Sequence, residues 1–173
     1  MSISLEDLAA RVGALEDINA IRQLKARYLR ACDLKQVEDL RNTLLPEGVR
    51  LDYQNFPLFT RREDFIAIFE QMACQGGVYD LHHAGNADIE LTGPDEARGR
   101  WTLNFRTIIL ATRSVTHLVV EYEDVYRRKD GRWWIAESQS RISSMMSEEI
   151  AGDGSSLYRV WGEAPSLAPA TAE

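Results

Sequence analysis

From residue 79 the sequence changes to a period of two and holds it through four long runs, near 79–92, 96–111, 115–128 and 132–145. Between them stand Gly93-Pro94-Asp95, Thr112-Arg113-Ser114 and Lys129-Asp130-Gly131. A parallel crossover takes a dozen or more residues, so turns this short dictate an antiparallel meander. In the second run Trp101, Leu103, Phe105, Thr107 and Ile109 share one face, against Arg100, Thr102, Asn104 and Arg106 on the other. A sheet with one apolar face has to be covered.

The cover comes from the first part of the chain. Ile18, Ile21, Leu24, Tyr28 and Cys32 recur at steps of three and four, so the stretch from Ile18 to Asp39 predicts an amphipathic helix. Leu5, Leu8, Val12 and Leu15 form a lead-in to it over residues 4–17. A second short helix carries Val37, Leu40 and Leu44 and stops at Pro46 and Gly48. Val49, Leu51 and Tyr53 alternate as a short strand. Thr60 and Glu63 have the spacing of a capping box for a third helix, with Phe65, Ile66, Phe69 and Met72 turned inward. Helices segregated on one face of an antiparallel sheet make an α+β architecture. Here the expectation is a cone-shaped curved sheet with three helices on its concave face and a cavity at the open end. Residues 1–160 read as a single domain, and the proline- and alanine-rich 161–173 as a disordered tail.

Composition narrows the function. At 173 residues the chain can bury roughly 70% of the surface it exposes unfolded, enough for a core with an internal pocket. A net charge of −7 argues against nucleic acid or an anionic membrane as the main partner. No apolar run is long enough to span a bilayer, and the polar N-terminus is unlike a signal peptide. Cys32 and Cys74 lie far apart and in no redox or metal motif, the pattern of reduced cytoplasmic thiols.

The main helix does not finish its buried face with another aliphatic residue. It ends in Tyr28, Cys32 and the carboxylate of Asp33. Five positions rotate a helix by about 140°, so Tyr28 and Asp33 flank a cavity mouth from two sides rather than stack. In the segment from Leu81 to Leu91, alternation sets His82, Ala84, Asn86 and Asp88 on one face and His83 on the other, with small neighbours leaving room beside His82. Histidine is the side chain suited to base work near neutral pH. His117 shares a face with Glu121 and Glu123 and reads as surface. The adjacent histidines point apart, and no HxH or ExxH spacing occurs, so no metal is expected. Taken singly, these residues read as readily as packed or solvated groups.

Together, residues 14–33, 81–101 and 122–135 resemble the SnoaL-like branch of the nuclear transport factor 2-like superfamily, the likeness running over about 15–145. That branch includes scytalone dehydratases, hexachlorocyclohexane dehydrochlorinases and the bile acid 7α-dehydratases, to which the likeness is greatest. The resemblance implies an Asp33–His82 pair, with His82 as general base, Asp33 fixing its tautomer and Tyr28 donating to an oxygen where charge develops. It implies proton abstraction followed by elimination or isomerisation, with no cofactor. The expected substrate is a flat, apolar and possibly polycyclic or steroid-like small molecule, held by Asn86, Trp101, Phe105, Phe69 and Arg141. Two positions depart from the bile acid pattern: Phe105 stands where a further aspartate is found, and Arg141 falls one residue early. A non-catalytic binding or assembly module on the same fold, or a polyketide-type cyclase, is the alternative. Val119, Val125 and Ile89 are expected on the outer sheet face, where they favour a homodimer or homotrimer.

Overall fold

The structure is a computed structural model that describes residues 3–163. In chain order it contains α1 (Leu5–Leu34), α2 (Val37–Arg41), β1 (Arg50–Tyr53), α3 (Arg62–Met72), β2 (Val78–Leu91), β3 (Glu96–Ile109), β4 (Ser114–Lys129), β5 (Arg132–Ile150) and β6 (Ser156–Gly162). The expected α+β order is present, in a curved open sheet with the strand path β1-β5-β4-β3-β2. β2 to β5 form the antiparallel meander. β1 pairs in parallel with residues 137–140 of β5, and β6 pairs antiparallel with residues 144–150 of the same strand.

The lead-in and the main helix are one element, α1. Ser4 opens it with a capping box, its hydroxyl accepting from the Asp7 amide at 3.0 Å. Ile21, Leu24, Tyr28 and Cys32 are buried on the sheet side. Leu5, Leu8, Val12 and Leu15 are exposed, because the first half of the helix runs past the sheet it would pack on. α1 stops at Leu34, where Lys35 takes a left-handed cap. Thr60 makes no cap for α3: Arg61 is the residue before it, and the Glu63 carboxylate turns instead to Arg41 and Arg62. Met72, expected inside, is exposed on the last turn.

Three irregularities redirect side chains. β2 slips register between Gly85 and Asp88, with Asn86 at φ 51°. Extra residues in β5 at Ala136 and Ser143 shift its register against β4. A bulge reverses which side chains face the core beyond it. Ile89 therefore packs against the core rather than lying on the outer face. β6 includes Trp161 and Gly162, which the sequence reading assigned to the tail; 164–173 lie outside the described residues.

Below the cavity lies a buried polar cluster. Lys25 and Asp124, 1% and 0% exposed at their side chains, pair at 2.7 Å. Asp124 also accepts from Tyr126 and Ser138, each at 2.7 Å. Gly99 is needed beside it, since a Cβ there would come within 2.9 Å of the Tyr126 ring.

Candidate active site

α1 and β2 bring the two principal residues together. Nδ1 of His82 lies 2.6 Å from Oδ1 of Asp33. The same carboxylate accepts from the His82 backbone amide at 3.0 and 3.2 Å, so Asp33 fixes the strand and the ring at once. With Asp33 ionised, Nδ1 carries the proton and Nε2 the lone pair. Both side chains are less than one-fifth exposed. The imidazole packs against Phe105, ring centroids 4.6 Å apart.

His82 lies in the wall of a cavity of about 270 Å³ between the sheet and α3. This is near the small end of small-molecule sites, about 300–1,000 Å³. Phe65, Phe69, Phe105, Leu103, Leu118 and Ile142 form its apolar walls. Tyr28, Tyr53, Tyr122 and Ser140 supply hydroxyls. Tyr28 and Tyr53 share a hydrogen bond of 2.8 Å, which uses one of their two protons. Burial, then the neighbouring Tyr53, pushes the Tyr28 phenol well above its ordinary range, keeping it a protonated donor. Burial likewise raises Tyr122 and Tyr53. The Cys32 thiol is pushed up to about 12 by burial and then by Asp33, so it is an inert lining residue.

Of the residues read from the sequence, His82, Tyr28, Phe105 and Phe69 line this cavity, and Asp33 joins it through His82 from the groove between α1 and β2. Three others do not. Asn86 is exposed on the outer face, its amide 3.5 Å from the Thr102 hydroxyl, because the β2 bulge reverses the alternation begun at His82. Arg141 is exposed and bound to Asp52 at 3.0 Å. The bulge at Ala136 turns Ser138, Ser140 and Ile142 inward and Arg141 outward. Trp101 keeps its inward parity but lies beyond the cavity, in a groove between α1 and β2, its indole donating to the Tyr126 hydroxyl at 3.0 Å. His83 and His117 line a depression on the outer face.

The sequence reading missed Tyr53, Tyr122, Ser140 and Asp80. Parity was the available signal for Tyr53, two residues after buried Leu51, and for Asp80, two before His82. Ser140 was hidden by the bulge, which one sequence does not announce. Among the described residues no three His, Cys, Asp or Glu side chains are grouped to hold a metal ion, and no helix is long and apolar enough to cross a membrane.

The profile of the SnoaL-like domain matches residues 13–139, most of the chain. The protein belongs to the SnoaL-like domain family. Its fold is that of a hexachlorocyclohexane dehydrochlorinase, LinA type 2, with a TM-score of 0.72 at 15% identity, covering 90% of this chain and 98% of that one. A putative scytalone dehydratase from Novosphingobium aromaticivorans superposes with a TM-score of 0.71 at 20% identity, covering 76% and 87%. A putative aromatic ring hydroxylase from the same organism does so with 0.68 at 15%, covering 74% and 90%. At these identities the likeness is one of fold, and the names attached to it cover more than one chemistry.

Proposed function

We propose that this SnoaL-like protein is a cofactor-independent lyase or isomerase, dehydratase-like, that removes a proton from an apolar small molecule. The observation that carries the reading is the 2.6 Å contact of Asp33 with His82, a residue in the wall of a largely apolar cavity. Nε2 of His82 takes the proton, and Asp33 holds the imidazolium that forms. The developing negative charge falls on a substrate oxygen that accepts from Tyr28, whose raised pKa keeps its proton in place. Charge is delocalised within the substrate, and elimination or isomerisation follows. The flat aromatic walls favour a planar ring system, and the volume admits a bicyclic core, with larger polycyclic or steroid-like molecules reaching out through the mouth by Phe56.

Assembly as a homodimer or homotrimer through the outer sheet face belongs to the same reading. Tyr79, Leu81, Met146 and Val160 leave apolar surface exposed there. Free Cys32 and Cys74 fit a reducing, cytoplasmic setting.

A panel of flat aromatic and steroid ketones tests the proposal. Turnover by the wild type, reduced ~10²–10⁴-fold in His82→Ala and Asp33→Asn with binding retained, is the expected result. Binding without turnover, equal in wild type and His82→Ala, would replace it with a non-catalytic binding module.

A further inference from the structure

The end of α1 is tied to the inward row of β2 twice. Asp33 reaches His82, and two residues on, Lys35 reaches back to Asp80, two residues before His82. The two rungs have opposite polarity, acid to base and then base to acid. Asp80 lines the cavity beside His82, its side chain 8% exposed. Lys35 is its one side-chain hydrogen-bond partner among the described residues and engages Oδ2. Oδ1 takes no part in that contact.

Lys35 itself stands at an unusual place. It takes φ 58° at the helix cap, where glycine is the ordinary choice. A non-glycine residue there costs about 1 kcal/mol or more, which the lysine side chain has to justify. Its ammonium sits 5.9 Å from the centre of the Phe69 ring, another cavity wall, and its side chain is one-fifth exposed. Asp80 therefore presents a carboxylate in the cavity wall, with the Lys35 ammonium paired to it. Phe105, in the row of His82, offers no polar group at all.

We propose that Lys35 and Asp80 are the specificity-determining residues of the cavity, selecting substrates that carry a hydroxyl group one fused ring away from the carbon His82 deprotonates. Successive inward residues on a strand are ~6–7 Å apart, which sets that separation. The hydroxyl donates to the Asp80 carboxylate and accepts from the Lys35 ammonium paired with it. The inference rests on the cavity being the substrate site.

The test is a matched pair of ligands, 1-tetralone and 6-hydroxy-1-tetralone, with dissociation constants measured by calorimetry. The wild type should bind the hydroxylated ketone ~10–100-fold more tightly, the factor for a hydrogen bond to a charged group. Lys35→Met/Asp80→Leu, which removes both charges together, should bring that ratio near one with 1-tetralone still bound. Asp80→Asn, a smaller change should the double variant not fold, should give an intermediate ratio. A purely structural pair would instead weaken both ligands in parallel. That result, equal binding of the two ketones by the wild type, or no binding of either, overturns the proposal. His82→Ala should keep the ratio. A wild type that prefers the hydroxylated ketone but removes no proton would refute the base assignment and leave this inference standing.

Discussion

Replacing Lys25 with methionine should destabilise the protein by about 3–5 kcal/mol, the cost of leaving a buried charge without its partner. The magnitude follows from the surroundings. Asp124 is wholly buried, and among the described residues Lys25 provides the only formal positive charge on it, at 2.7 Å. After the substitution its carboxylate retains just two neutral donors, Ser138 and Tyr126, each at 2.7 Å. The ammonium also lies 3.9 Å from the centre of the Tyr122 ring, and that cation–π contact disappears with it. Asp124→Asn should cost a similar amount by stranding the lysine. The double variant Lys25→Met/Asp124→Leu should lose far less than the sum, because no charge remains buried and only two hydroxyls lose an acceptor. Urea unfolding with an unchanged m-value is the assay. A loss below about 1 kcal/mol for Lys25→Met, or additive single and double variants, would refute the reasoning.

Stability should fall with rising pH above about 9. The Cys32 thiol ionises at its ordinary 9.0 when unfolded but only near 12 when folded, so the unfolded state releases its proton first and gains over that window. Tyr28, Tyr53, Tyr122 and Tyr126, all raised by burial, act in the same sense at higher pH. A denaturation midpoint constant from pH 8 to 11 would contradict this. Phe105→Asp should fold and shift ligand preference from apolar toward hydroxylated ketones, as measured by the ratio of their affinities, since the carboxylate would stand against the His82 ring. Light scattering at micromolar concentration should give a dimer or trimer, because Leu5, Leu8, Val12 and Leu15 of α1 and the outer-face patch are both uncovered in the single chain; a monomer would contradict it.

The meander, the order of the elements and the convergence of Asp33 and His82 were legible because they rest on periodicity, turn chemistry and a family pattern. Strand limits were off by two residues or fewer, except in β5, which continues to Ile150 in order to pair with β6. What the sequence concealed has a common cause. Asn86 and Ile89 are assigned to a face by strict alternation, Arg141 to the site by the family resemblance, and each lies at or beyond a bulge. A bulge is set by how two strands fit, with no fixed residue signature, so every parity assignment past it reverses. Trp101 failed differently: its face was right, but the cavity does not extend to its row. The aspartate of the bile acid pattern has no replacement in the row of Phe105, and the carboxylate lining the cavity is Asp80, two residues before His82.

The most direct measurement of the Asp33–His82 chemistry does not need the natural substrate. A ketone held in the cavity should exchange its α-hydrogens with deuterated solvent if His82 is a base aimed at it. Proton NMR of 1-tetralone in D₂O should show exchange catalysed by the wild type, reduced ~10²–10⁴-fold in His82→Ala and in Asp33→Asn. Exchange no faster than in buffer alone for a ketone shown to bind, or equal exchange in wild type and His82→Ala, would contradict the account.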